Sequence, residues 1–271
     1  MSSITEIPVR EWSTLRDMYL VNWPKDYITY FTIDHALKHW KENGGVSIYS
    51  LENDYEDGTF LYVSKKSSVV HFNTLTENIE KLKAISNILG NMRLQFVISM
   101  SKKFEPLIKY METLANVKYE YEDNSLFYID KEKALDLKIP EVEDIFLRLL
   151  VEDDGDTVNE LWPHKFTGSV HFVKNLIRTD YSMGAFSKTS GDLLAWILRY
   201  PTGSFAMLQV RESHYRNGLG RLVTTAMTKK LAENGLDSSA TILMNNIASR
   251  NLFMSVGYEE AYEMFIYRTI D

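Results

Sequence analysis

The chain of 271 residues contains no cysteine, which excludes disulfides, thiolate-bound zinc, iron–sulfur clusters and thiol nucleophiles together. Positive charge is not in excess either: 30 Lys and Arg stand against 37 Asp and Glu, a formal net charge of −7. Neither half concentrates Lys and Arg as a duplex binder does to displace counterions, so nucleic acid is not the expected partner. No uncharged run reaches the roughly 18 residues that a membrane helix needs. The opening MSSITEIPVREW carries acidic residues and no apolar segment, unlike a secretory signal or an Arg-rich transit peptide. A cytoplasmic location is therefore expected. Of the 6 histidines, His35 and His39 share a helical i,i+4 spacing, but no third ligand lies nearby and no metal site is expected.

What is present describes a folded protein. The hydrophobic share is 45% and the charged share 25%, and this length gives room for two packed cores. Runs at 46–50, 60–64 and 68–72 read as strands, separated by Asn53–Gly58 and Lys65–Ser67. Thr74 can cap a helix carrying Ile79, Leu82, Ile85, Ile88 and Leu89, and Gly90 offers its stop. A strand over 93–100, a helix over 104–114 and a hairpin of 117–121 with 125–129 around Asp123-Asn124 complete the first half. The second half repeats that order. After a strand at 145–150 and helices near 157–162 and 169–179 come strands at 183–186, 193–200 and 205–210. A helix over 218–234, a strand at 239–244, a helix over 248–255 and strands at 258–262 and 264–269 follow. Two similar mixed α/β units in tandem are expected, residues 1–138 and 139–271.

The stretch Leu208 to Arg221 is a strand running through a polar loop into a helix. Without a Cβ at Gly218 and Gly220, main-chain amides at the helix start can approach an anion, and these amides have no partner inside the helix. That is a cradle for phosphate, and Arg216 or Arg221 can add charge-assisted bonds. Two other phosphate motifs fail on spacing: Gly220 is followed by Arg221-Leu222 rather than Lys-Ser/Thr, and Val223 stands where a dinucleotide fingerprint has its third glycine. Further on, Ser249, Leu252, Phe253 and Val256 share a helix face that Gly257 ends.

Together these segments resemble the two signatures of the Gcn5-related N-acetyltransferase (GNAT) superfamily. The family's loop, Val-x-Pro-x-x-Arg-x-x-Gly-x-Gly, falls on Val210 to Gly220, and its later segment on Asn246 to Tyr258. Asn159–Trp162 and Leu194-Ala195-Trp196-Ile197-Leu198 look like the glycine N-acyltransferase branch, which also carries a degenerate first copy of the fold. The resemblance implies tandem acyl-CoA N-acyltransferase folds, each a twisted mixed sheet flanked by helices, the first degenerate because Phe72–Glu77 has no glycine. It implies acyl-CoA as cosubstrate and a small amine, such as glycine or another amino acid, as acceptor. Leu208 would present its N–H to the thioester oxygen. Val210, Tyr215, Arg216, Asn217, Gly218, Leu219, Gly220, Arg221, Asn246, Ser249 and Phe253 would join Leu208 in holding acyl-CoA. By the same analogy a mitochondrial location is the alternative to the cytoplasm.

Three departures from the family bear on the chemistry of the site. Tyr215 stands where many members have the loop arginine, with Arg216 adjacent. Ser204 occupies the position of the glutamate that deprotonates the amine in glycine-conjugating relatives, and a serine cannot replace that base directly. Phe253 replaces a tyrosine that protonates the departing thiolate. The expected activity is direct acyl transfer with Ser204 and Leu208 at the reacting end. The alternative is a weak or inactive acyl-CoA-binding pseudoenzyme, acting as a sensor or interaction module.

Overall fold

In a computed structural model, residues 3–40, 45–65, 68–90, 96–99 and 101–270 are described. Expected strand residues 93–95 and 100, and turn residues 66–67, lie outside them. The chain divides into two compact units, Met1–Ser125 with Tyr262–Asp271, and Leu126–Ala261. These bounds differ from 1–138 and 139–271 in that residues 126–138 group with the second unit and residues 262–271 with the first.

The first unit comprises β1 (Ile4–Glu6), α1 (Trp12–Met18), α2 (Tyr27–His39), β2 (Val46–Leu51), β3 (Phe60–Ser64), β4 (Val69–Asn73), α3 (Glu80–Ser86), β5 (Phe96–Ser99) and α4 (Glu105–Ala115). The strand β6 (Lys118–Ile129) begins in this unit. Its strands run in the order β1-β2-β3-β4-β5-β12-β6, where β12 is Glu259–Ile270. All neighbours with a described register up to β12 are antiparallel except β4 and β5, which pair in parallel from Val69↔Phe96 to His71↔Ile98. Successive residues of a strand face opposite sides of a sheet. Accordingly Leu61 and Val63 join a core with Leu82, Leu107 and Met111, whereas Phe60 and Tyr62 join another with Trp12, Leu15 and Ile33.

The second unit contains the end of β6, α5 (Lys131–Leu135), β7 (Ile145–Arg148), α6 (Asp154–Leu161), α7 (Ser169–Thr179), β8 (Ser182–Ser187), β9 (Leu193–Arg199), β10 (Ser204–Val210), α8 (Leu219–Glu233), β11 (Ser238–Leu243) and α9 (Ile247–Val256). Its strand order is β6-β11-β10-β9-β8-β7. The run Leu193-Leu194-Ala195-Trp196-Ile197-Leu198 is buried throughout because helices cover both faces. Ala195 and Ile197 pack with Leu222, Val223 and Met227 of α8, while Trp196 and Leu198 pack with Val158, Val173 and Leu176 of α6 and α7.

Three expectations give way. Residues 118–129 form one strand rather than a hairpin, since the strand order places β6 between two neighbours and pairing overrides the local turn tendency of Asp123-Asn124. The two closing strands at 258–262 and 264–269 are likewise one strand, β12. Thr74 does not cap α3, which starts at Glu80 behind Ile79. The Thr74 hydroxyl instead lies 2.8 Å from that of Thr59.

Candidate functional site

The candidate site is built on β10, β11 and the start of α8. Strand β10 pairs with β11 in parallel at Ser204↔Ser239 and Phe205↔Ala240 only. On its other side, the antiparallel register with β9 jumps from Ala206↔Leu198 to Gln209↔Trp196, so Met207 and Leu208 together oppose Ile197. This is a β-bulge, and Met207 takes a left-handed φ of 52° to make it. The bulge re-aims the main chain at Leu208, which is half-buried. From Leu208 to Val210 the strand has no register partner on β11, leaving main-chain groups on that side for a ligand.

After β10 the chain makes a short 3₁₀ turn over Glu212–His214 and reaches α8 through Tyr215, Arg216, Asn217 and Gly218, all exposed. Arg216 and Gly218 are both left-handed, with φ of 63° and 75°. Alternating handedness of this kind turns successive amides toward one side. The first intrahelical bond runs from Leu222 N to Gly218 O at 2.9 Å, so the amides of Leu219, Gly220 and Arg221 have no partner within the helix. A Cβ built on Gly218 meets nothing within 4 Å. The Cα of Gly218 therefore faces open space at the start of a helix of 15 residues, whose first amides carry the positive end of its dipole.

Gly220 has a different role. A Cβ there would approach Leu252 Cδ1 to 3.1 Å and Val210 Cγ2 to 3.6 Å, so its bareness lets α8 sit close to β10 and α9. Leu219 is buried and offers only its main chain, whereas the Arg221 side chain is exposed. Diphosphate-bearing acyl-CoA fits this donor set: amides with no partner in the helix, a bare position at Gly218 and the exposed Arg216 and Arg221 in the same loop and first helical turn.

Other expected residues are placed less directly. The Asn246 side chain accepts from Ser249 N at 3.1 Å and so caps α9. Helix α9 ends at Gly257, where Gly257 N donates to Met254 O and Tyr258 N to Phe253 O. Phe253 is buried, its ring edge-on to Tyr258 at 5.0 Å, and the Tyr258 hydroxyl lies 2.7 Å from Thr228 Oγ1. The Phe253 side chain thus belongs to the core under the site.

Ser204 is 3% exposed, and its hydroxyl lies 2.8 Å from Ser239 Oγ and 3.1 Å from Thr241 Oγ1. Sequence reasoning missed these two partners. It also missed Gln209, whose Nε2 donates to Leu161 O at 2.7 Å and ties β10 to the end of α6. The Trp162 ring lies 6.2 Å from Phe166 and 6.3 Å from Phe172, and Phe172 lies 5.9 Å from Tyr200. Burial pushes the Tyr200 hydroxyl up to about 12, so it stays protonated. Trp196 is wholly buried in the core.

Among the described residues of the first unit, the loop after β4 is built differently. After β4, Thr74 N donates to Asn73 Oδ1 at 2.8 Å, Leu75 N to Asp57 O at 3.2 Å and Thr76 N to Thr74 Oγ1 at 3.2 Å. These amides are already occupied. Among the described residues no cluster of His, Asp and Glu is arranged to hold a metal, and no helix is long and apolar enough to cross a membrane.

Comparison with known proteins agrees with this architecture. Residues 182–266 match the family model described as FR47-like protein. A Drosophila protein of known structure superposes with a TM-score of 0.86 at 20% identity, covering 100% of this chain and 99% of the other. A tandem GNAT protein from the clavulanic acid biosynthesis pathway gives 0.60 at 10% identity, covering 100% and 98%. A GCN5-related N-acetyltransferase from Sphaerobacter thermophilus gives 0.60 at 13% identity, covering 98% and 95%. No curated protein matches. The fold is that of the tandem GNAT acyltransferases. Within it, the segment similar to the FR47-like family model runs from β8 into β12. The glycine N-acyltransferase branch finds no support among these relatives.

Proposed function

We propose that the protein is an acyl-CoA-dependent N-acyltransferase acting on a small amine, with residues 139–271 carrying the site and the first unit a degenerate copy. The observation that carries this reading is the group of amides at Leu219, Gly220 and Arg221 with no partner in the helix, beside the parting of β10 from β11. Leu219, Gly220 and Arg221 bind the diphosphate through their N–H groups, with Arg216 and Arg221 adding charge. Val210 and Leu208 present main-chain groups to the amide-bearing arm, which lies along β10 like an added strand. Tyr215, Asn217, Asn246 and Ser249 border the same cofactor path. Acyl-CoA supplies an activated thioester carbonyl. The Leu208 N–H, re-aimed by the bulge, stabilises negative charge on that carbonyl oxygen as the amine attacks directly. Ser204 and its hydroxyl partners orient the attacking amine, glycine and other amino acids being acceptors to test.

Isothermal titration with CoA tests the cradle. The expected result is binding by the parent protein and none by Gly218→Glu; equal affinity in both would remove the proposed role. Thiol release from several acyl-CoAs with a panel of amines tests catalysis.

A second reading is favoured by one observation: the hydroxyl of Ser204, where the sequence resemblance implies a carboxylate base, is buried and held by two other hydroxyls. On that reading the protein binds acyl-CoA as a sensor or interaction module. CoA binding with no turnover in the parent, and turnover gained in Ser204→Glu, would decide for it.

A further inference from the structure

Away from the cradle, the second unit holds an open groove of about 190 Å³. Its lining is mostly apolar: Leu147 lies on β7 and Leu149 just after it, Met183 comes from β8, Ala226 from α8, and Ile139 from the segment that follows α5. Met183 and Ala226 are buried, whereas Ile139 and Leu149 are each 42% exposed. Among the described residues β7 ends the sheet order, so no further strand lies on this side of the groove.

Charge is gathered on one wall. Ala226, Lys229, Lys230 and Glu233 recur along α8 at helical spacing and share one face of it. Lys229 Nζ donates to Leu137 O at 2.9 Å, which ties the segment leading to Ile139 across the helix. An ammonium carries three donors, and this bond uses one. Lys230 Nζ lies 3.7 Å from Glu233 Oε2, well beyond the charge-assisted hydrogen-bond length of about 2.7–2.9 Å. Arg148 is committed elsewhere: it donates to both Asp154 carboxylate oxygens at 2.7 and 2.9 Å, and its guanidinium lies 3.8 Å over the Phe186 ring. Glu233 is the one carboxylate on the lining, against Arg148, Lys229 and Lys230.

An apolar trough with two ammoniums on one wall is complementary to an amphiphile with an anionic head. An alkylammonium of the same length would meet like charge there, and a neutral alcohol would gain no ion pair. Size limits the tail. An apolar cavity of about 150 Å³ accommodates benzene, so this groove has room for an unbranched chain of about six to eight carbons.

We infer that the groove binds a medium-chain alkanoate, its chain against Ile139, Leu147, Leu149 and Met183 and its carboxylate on Lys229 and Lys230. The inference is independent of the acyl-transfer reading. Lys229 lies about 15 Å along the helix axis from Leu219, and the groove shares no residue with the loop from Tyr215 to Arg221.

The test is isothermal titration of the full chain with sodium octanoate, repeated with CoA in excess. NMR of the methionine methyl groups is recorded alongside, the Met183 signal being assigned through Met183→Leu. Saturable binding that shifts the Met183 methyl signal is expected, with the same affinity when CoA is present. Hexanoate should bind about fivefold more weakly, because each methylene is only partly buried in an open groove, and octylamine should not bind. Lys230→Gln changes a side chain that is 41% exposed and should weaken octanoate about fivefold. Ile139→Asp, at an equally exposed position, sets a second carboxylate beside the ligand and should abolish binding. No saturable binding, an unmoved Met183 signal, equal affinity in both variants, equal binding of octylamine, or displacement of octanoate by CoA would each overturn the inference. Failure of CoA itself to bind would remove the acyl-transfer reading and leave these outcomes as they stand.

Discussion

Ser204 and Ser239 are register partners on the parallel strands β10 and β11, and their hydroxyl oxygens lie 2.8 Å apart. They close the end of the cleft where the strands still pair, one rung before the separation that follows Phe205↔Ala240. A hydroxyl here can orient an amine but cannot take a proton from an ammonium at neutral pH.

Ser204→Ala removes the hydroxyl that both Ser239 and Thr241 meet. Folding stability should fall by about 1 kcal/mol, the usual net worth of a buried neutral hydrogen bond, as measured by urea unfolding. Acyl transfer should persist at reduced kcat, since no general base has been removed. Complete loss of turnover in a folded variant would make Ser204 indispensable to the proton transfer and contradict this assignment.

Gly218 separates conformational strain from ligand exclusion. Alanine there meets no neighbouring atom, so the cost is the left-handed backbone alone, about 1–2 kcal/mol. Glutamate carries the same backbone cost and adds a negative charge at the helix start. Gly218→Ala should therefore lower the unfolding midpoint and retain CoA binding, while Gly218→Glu should lower the midpoint similarly and lose binding. Loss of CoA binding in both variants would mean that loop conformation, rather than charge and access, controls affinity.

How much of this was readable in the sequence depended on how local the signal was. Helix α8 was expected over 218–234 and spans Leu219–Glu233, and α9 was expected over 248–255 and spans Ile247–Val256, because apolar spacing and flanking glycines act within a few residues. Helix α2 had no such signal: Tyr27, Ile28, Thr29, Phe31, Thr32, Ile33, Asp34, His35 and Ala36 are all buried, so no polar stripe marks a period, and β-branched residues weaken the helical signal further. The bulge was hidden because methionine rarely adopts a positive φ. Ser239 and Thr241 meet Ser204 from 35 and 37 residues away, a relation set by strand pairing alone.

Tyr258→Phe tests the aromatic support beneath the site. The hydroxyl lost lies 2.7 Å from Thr228 Oγ1, which also donates to Thr224 O at 2.7 Å. Thr228 keeps that second bond, so stability should fall by only about 1 kcal/mol. The edge-on packing of residue 258 against Phe253 survives the change, and CoA affinity should be unaltered in the same titration used for Gly218. A marked loss of CoA affinity would place the Tyr258 hydroxyl, rather than the ring stack, in control of α9.

Asp154 gives the second unit a defined acid sensitivity. Burial would raise its pKa, but Arg148 donates to both carboxylate oxygens at 2.7 and 2.9 Å and Val151 N donates at 2.7 Å, so the net shift is downward. A carboxylate whose folded pKa lies below its unfolded value binds fewer protons when folded. Its stabilisation is complete above the ordinary carboxylate range and is lost as pH falls through that range toward the depressed folded value. The Arg148 guanidinium also lies 3.8 Å over the Phe186 ring, so the pair fixes β7 against β8 as well as the start of α6. Asp154→Asn should lower stability at pH 7 and flatten the dependence of the urea midpoint on pH below about 5, where an unshifted aspartate begins to protonate. The parent and variant curves should converge in acid. Curves that stay parallel across the whole range would show that the ion pair contributes nothing that protonation can remove.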